Sequence, residues 1–264
     1  MRVFEHILRK TFALKEAAEI QDIDSAETSL VHRRIIQSKP FLKGIYRFFY
    51  HELIRDFDDL SAKKILEIGA GAFNSQMFYP RIITSDIEKN DFVDMAVDAR
   101  RKPFGDKKLD GIILLETLHH IGRPEEFFKE AQRVLKTSGK LVMIEPYFSF
   151  WGGCIYRYLH HEPVYDIPEW DIPQGHGGRL SNANVIMPHN IFIRDREIFE
   201  RKFPDLKIRR ISLHTCFNYL LSGGLSYKCL VPGFLESFIW FLESALSPFY
   251  KLLATNMTVV IEKK

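Results

Sequence analysis

From Lys63 to Pro146 the chain alternates short apolar runs with stretches of helical period, and this alternation limits the fold more than any other feature. The runs are Lys64 to Ile68, Arg81 to Ser85, Met95 to Val97, Leu109 to Leu115 and Lys140 to Glu145. Between the last two, Pro124 to Leu135 has helical spacing, with proline in its first turn and Gly139 beyond its end. Strand and helix in alternation imply a parallel sheet covered on both faces. A helical pattern at Asp195 to Phe203 and two late runs, Lys207 to Leu213 and Thr255 to Glu262, complete the domain.

The flanking segments differ in texture. Residues 1 to 60 read as a helical extension, because Phe4, Ile7 and Leu8, then Leu42, Ile45, Phe48, Phe49 and Leu53, recur at helical spacing. Residues 146 to 194, rich in Pro, Gly, His, Trp and Tyr, read as an inserted loop-rich lid on a methodically layered 61 to 264 domain. Residues 229 to 254 are strongly apolar, but Pro232, Glu236, Glu243, Pro248 and Lys251 interrupt them, so they make a poor membrane span.

Composition excludes several classes. With 264 residues, 46% of them apolar, the chain is long enough for a core without disulfides or structural metal. Cys154, Cys216 and Cys229 are odd in number and scattered, which favours a reducing compartment. A formal charge of +3 without a long basic run argues against a nucleic-acid partner. The first residues lack a secretory pattern, so the expected location is cytoplasmic, with contact at a membrane surface left open.

In open parallel sheets ligands sit beyond the carboxyl ends of the strands. Glu67-Ile68-Gly69-Ala70-Gly71-Ala72-Phe73 follows the first run, and its two glycines let backbone pass close to a ligand. Asp86 follows the second, placed for a carboxylate that accepts ribose hydroxyls. Asp98-Ala99 follows the third, and Glu116-Thr117-Leu118-His119-His120 the fourth.

On these residues the chain resembles the class I S-adenosylmethionine-dependent methyltransferases. The motifs are ILEIGAGAF, ITSDI, VDARRKPF, LDGIILLETLHHI and EEFFKEAQRVLKTSGKLVMIEP, within Ile65 to Pro146, and they look like the branch that methylates small molecules and lipids. The resemblance implies a Rossmann-like, mostly parallel seven-stranded α/β sheet with a reversed last hairpin. It also implies a cofactor site. Glu67, Gly69 and Gly71 would lie at the methionine part, Asp86 at the ribose with Ile87 beside it, and Asp98 and Ala99 at the adenine. Glu116 and His119 would line the methionine end. One position departs from the pattern: Phe73 stands where the glycine motif has a third small residue, which predicts a shortened turn or a displaced helix. Looser similarity through His32 to Leu42, His160-His161-Glu162-Pro163 and Tyr219 to Gly224 suggests a bacterial subgroup associated with glycan or lipid pathways.

The implied activity is methyl transfer to a small-molecule, glycan or lipid-linked acceptor, with a non-catalytic cofactor-binding scaffold as the alternative. His120 is the first candidate for a base, with His160 and His161 next, and Tyr165, Trp170, Asn184 and His189 are the candidate acceptor contacts. Ten histidines invite a metal reading, but no HExxH or comparable spacing supports it, so no metal is expected. Asn256-Met257-Thr258 fits a glycosylation acceptor but opens an expected buried strand, and is read as chance. The apolar face at Phe234 to Leu253 needs a cover. The amino-terminal helices or a second subunit are favoured over a membrane, because Glu236 and Glu243 would repel anionic headgroups.

Overall fold

The computed structural model describes residues 12–71, 73–173, 178 and 180–264; Phe4, Ile7, Leu8, Ala72 and His176 therefore lie outside the described residues. Seven strands form one sheet: β1 (Ile65–Ile68), β2 (Ile83–Asp86), β3 (Met95–Ala96), β4 (Leu109–Leu115), β5 (Leu135–Pro146), β6 (Leu206–His214) and β7 (Asn256–Lys263). Their order is β3-β2-β1-β4-β5-β7-β6. The pairs from β3 through β5 are parallel, and β7 runs antiparallel to both β5 and β6. This is the Rossmann-like sheet with a reversed last hairpin. Strand order reverses between β1 and β4, and in open sheets of this kind ligands bind beyond the strand ends at such a point.

Strand residues alternate between two cores. Leu66, Ile112, Leu114, Leu141, Met143 and Val259 face a helix α3 (Pro124–Val134) and a helix α5 (Arg196–Lys202), packing on Phe127, Phe128, Phe199 and Phe203. Ile65, Ile113, Val142, Ile144 and Val260 face a helix α2 (Pro40–Ile54), which follows α1 (Ala26–Ser38). Phe41, Ile45, Phe49 and Leu53 of α2 are buried there, each contributing about 1.5–3 kcal/mol. Helix α2 of the amino-terminal extension is thus one layer of the domain. It occupies a face left bare because the β1–β2 connection holds only a three-residue 3₁₀ turn, Ser75–Met77. Phe73 explains the short connection: its ring is buried against Tyr46 and Phe78, at centroid distances of 5.3 and 6.1 Å.

Two segments differ from the sequence reading. Residues 146–194 contain helix α4 (Phe150–Tyr158), and Ala183, Val185, Ile186, Met187, Ile191 and Phe192 are buried core. Gly152, Gly153 and Pro188 obscure the periodicity that would have announced this packing. Near the carboxyl end, α6 (Glu236–Ala245) and α7 (Tyr250–Leu253) are, among the described residues, covered on one face. Trp240 packs on Phe41 and Phe48 of α2, at 6.3 and 5.5 Å between centroids. Phe234 and Phe241 remain 85% and 66% exposed, and Phe238, Leu242, Phe249 and Leu252 are exposed beside them. Glu243, expected to face solvent, is instead buried and accepts the backbone N–H groups of Cys216 and Phe217, whereas Glu236 is half-buried.

Candidate functional site

The glycine turn after β1 is built for close approach. Gly69 and Gly71 have φ of +69° and +55°, a region that costs other residues about 1–2 kcal/mol. A Cβ on Gly69 would lie 2.3 Å from the Thr117 methyl carbon, so the turn packs directly on the segment after β4. A Cβ on Gly71 would meet no atom within 4 Å. Glu67 supports the turn from below. Its buried carboxylate accepts from the Tyr50 hydroxyl at 2.8 Å and from Ser75 N and Oγ at 2.9 and 2.5 Å. Burial pushes its carboxyl up to about 7, against those hydrogen bonds.

At the end of β2, Asp86 accepts from Gly71 N at 3.1 Å and from Ile87 N at 2.7 Å. Ile87 is half exposed beside it. Asp98, after β3, holds Arg100 through Nε at 3.0 Å and a terminal nitrogen at 2.8 Å, and this pairing keeps its carboxyl below the usual range. Ala99 is buried, and its carbonyl accepts from the Lys102 ammonium at 2.5 Å. The ends of β1, β2 and β3 therefore carry a glycine turn and two carboxylates, with open space beside Gly71.

Beyond β4 the backbone turns at Glu116, which has φ of +50°. Its carboxylate accepts from Asn256 Nδ2 at 2.5 Å, and burial followed by the charge of Glu145 pushes its carboxyl up to about 8. Asn256, whose glycosylation-like motif was read as chance because it opens a buried strand, is indeed buried and is a partner of Glu116. Glu145, at the end of β5, ties the next turn together: one oxygen accepts from Thr117 N and Leu118 N at 2.9 and 2.7 Å, the other from His119 Nδ1 at 2.7 Å.

The histidines converge on one carboxylate. Glu162 lies 3.2 Å from His119 Nε2, 3.5 Å from His120 Nε2, 3.0 Å from His160 Nε2 and 3.9 Å from His161 Nε2. Burial opposes its charge, but the hydrogen bonds from His119, His120 and His160 hold its carboxyl well below the usual range. For His119, burial works against the charged ring and the bonds to Glu145 and Glu162 outweigh it, holding its pKa well above the ordinary value. The sequence reading paired His160, His161 and His120 as candidates but did not single out Glu162 or Glu145. Each sits in a motif already quoted, and only the fold makes one the hub and the other a brace. The no-metal expectation also meets a different picture, since His119, His120 and Glu162 place one ligand atom each within 4.8 Å of one another.

The proposed acceptor contacts are less uniform. Asn184 spends its side chain on Tyr165 N, Tyr165 O and Asp171 O, all at 3.0 Å, and so braces the loop. Trp170 is buried in the α5 core, donating to Asp195 at 2.8 Å. Both side chains make structural contacts in this structure, and the Asn184 backbone N–H also donates to the His119 carbonyl at 2.8 Å. His189 accepts from Phe148 N at 3.2 Å, and burial lowers its pKa to about 4. Tyr165 stays half-buried on the loop that Asn184 holds.

Residues 68–143 match the family described as methyltransferase domain. That stretch of the chain is similar to methyltransferase domains. It takes in the ends of β1 through β4, where the glycine turn, Asp86, Asp98 and Glu116 stand. A fatty-acid O-methyltransferase of Mycolicibacterium smegmatis is 28% identical over 131 residues, covering 43% of this chain and 42% of that protein. The match thus spans less than half the length of that relative. Among solved structures, a SAM-dependent methyltransferase of Thermotoga maritima has a TM-score of 0.50 at 15% identity, covering 89% of this chain and 99% of its own. Geranyl diphosphate C-methyltransferase of Streptomyces coelicolor has a TM-score of 0.48 at 15% identity over 94% and 86% of the two chains.

Proposed function

We propose that the methyltransferase domain transfers the methyl group of S-adenosylmethionine to a nucleophile on a small-molecule, glycan or lipid-linked acceptor. The observation that carries this reading is the opening at Gly71, with Asp86 facing it from the neighbouring strand at 3.1 Å. A ribose can take the place of that backbone donor on the Asp86 carboxylate. Glu67, Gly69, Gly71, Asp86, Ile87, Asp98, Ala99, Glu116 and His119 would hold the cofactor, which supplies an electrophilic methyl on a sulfonium. Acceptor alignment and exclusion of water then do most of the catalysis. Acceptor activation belongs to the cluster of His120, His160, His161 and Glu162, with Tyr165 and His189 on the lid side. Calorimetry with S-adenosylhomocysteine tests the site: Asp86→Ala should weaken binding by about 1–3 kcal/mol. Equal affinity in a folded variant overturns it. Methyl-labelled cofactor incubated with separated lipid, glycan and small-molecule extracts identifies the acceptor class, and no label in any pool overturns the activity.

Within these classes we favour an acceptor held at a bilayer. The exposed aromatic face of α6 and α7 adjoins α4, where Phe150, Tyr158 and Leu159 are exposed too. Across these three helices the exposed charged side chains are Arg157 and Lys251, both cationic, because Glu243 is buried and Glu236 is half-buried. The repulsion expected from these two glutamates is therefore reduced, and the face suits anionic headgroups. The full chain should float with phosphatidylglycerol vesicles and lose this on Phe241→Glu with the fold retained. A dimer in solution that ignores vesicles would overturn membrane contact and leave methyl transfer standing.

A further inference from the structure

We propose that His119, His120 and Glu162 bind a divalent transition metal of the zinc class, joining the turn after β4 to the segment that follows α4. The argument begins with protons. His120 Nδ1 lies 3.1 Å from the carbonyl oxygen of Asn182, which can only accept, so that nitrogen carries the hydrogen. His119 Nδ1 is likewise the donor to Glu145. With Nδ1 carrying a hydrogen, each ring aims Nε2 at Glu162, at 3.2 and 3.5 Å, where it either donates a second proton, as in the ion pairs described above, or offers a lone pair to a cation held between them. Lone pairs aimed at a carboxylate repel it unless positive charge intervenes.

Two added protons would supply that charge, but they would set two imidazolium rings 4.3 Å apart, one of them almost wholly buried. A single divalent cation meets both nitrogens and the carboxylate at once. The spacings suit it. A tetrahedral ion with bonds of roughly 2.0–2.1 Å has ligand-to-ligand edges of about 3.3 Å; each histidine nitrogen lies near that distance from one oxygen of Glu162, and the three ligand atoms lie within 4.8 Å of one another, so a small side-chain adjustment gathers them on one ion. The outer partners suit it as well, since ligating histidines commonly donate their other N–H to a carboxylate or a backbone carbonyl. Glu145 and Asn182 are such partners. His160 hydrogen-bonds Glu162 from the more exposed side at 3.0 Å and orients it. Two imidazoles and one carboxylate favour zinc-like ions over magnesium or calcium, and three protein ligands leave one position for an oxygen of water or acceptor.

A catalytic role for the ion rests on the methyl-transfer reading, but its binding does not, so zinc alone is the probe. The full chain, stripped with chelator and titrated calorimetrically with Zn²⁺, should take one equivalent. Glu162→Gln and His120→Asn should each weaken binding at least tenfold with unchanged circular dichroism, and Glu145→Gln by about 10- to 100-fold. X-ray absorption of the zinc-loaded parent should show nitrogen and oxygen donors without sulfur. No stoichiometric binding, a sulfur-containing shell, or full affinity in folded ligand variants would overturn the site. Methyl transfer by metal-free protein would remove the ion's catalytic role without touching its binding, whereas metal binding without transfer would leave the site intact.

Discussion

Gly69 and Gly71 have similar backbone angles and opposite surroundings, so the same substitution separates structure from ligand binding. Gly69→Ala adds a clash with Thr117 to the backbone penalty and should cost about 2–4 kcal/mol of stability, measured by urea denaturation. Gly71→Ala meets nothing and should cost about 1–2 kcal/mol while abolishing S-adenosylhomocysteine binding. Comparable stability losses in the two variants would refute the difference in packing. Both glycines were readable from the motif. Their inequality was not, because Thr117 lies 48 positions from Gly69 in sequence and meets it only when β1 and β4 pair. The same holds for Glu67: a carboxylate in an apolar strand demands a partner, but nothing local points to Tyr50 on α2. Tyr50→Phe should cost about 1–3 kcal/mol by removing a donor to a buried carboxylate.

At the scale of elements, the segment between β5 and α5 combines functions that composition could not separate. Its aromatic and histidine content suggested a lid; in the structure Trp170 and Asn184 make packing and bracing contacts, and α4 carries the chain to His160 after anchoring Tyr156 on Thr255 at 2.7 Å. Trp170→Ala should cost about 3–5 kcal/mol of global stability, the range for truncating a buried aromatic. Asn184→Ala should chiefly loosen the loop, since three backbone groups lose partners, and hydrogen exchange at Tyr165 should quicken while the strands stay protected. Uniform acceleration across the sheet would show that this brace belongs to the global fold instead. Helix α6 shows the converse. Its breadth of apolar surface was evident in sequence, and which side met α2 depended on Trp240 fitting between Phe41 and Phe48.

For the molecule as a whole, buried titratable groups set a pH dependence. His214 is enclosed beside Phe48 and Phe49, and burial, with Arg55 and Arg210 nearby, lowers its pKa to about 3. Its unfolded value is about 6.5. Between these limits the unfolded chain takes a proton that the native state refuses, so stability falls as pH drops from about 6.5 towards 3 and is unaffected above. Glu67 acts in the opposite sense, with stability falling as pH rises from about 4.5 to 7. A comparison isolates the histidine: His214→Gln should lessen the acid slope by up to about 1.4 kcal/mol per pH unit. Identical slopes in parent and variant would exclude His214.

Local pattern determined the sheet strands, helices α3 and α5, the glycine turn and the acids after β2 and β3, because periodicity and strand-end position are properties of neighbouring residues. The reversed hairpin came from resemblance to known motifs and is realised in the pairing of β7 with β5 and β6. Only tertiary structure decided that α2 replaces the missing helix after β1, that Glu243 turns inward, and that four histidines meet Glu162. Each depends on residues far apart in sequence, and their contacts form only after the sheet has brought together chain ends whose local patterns contain no trace of one another.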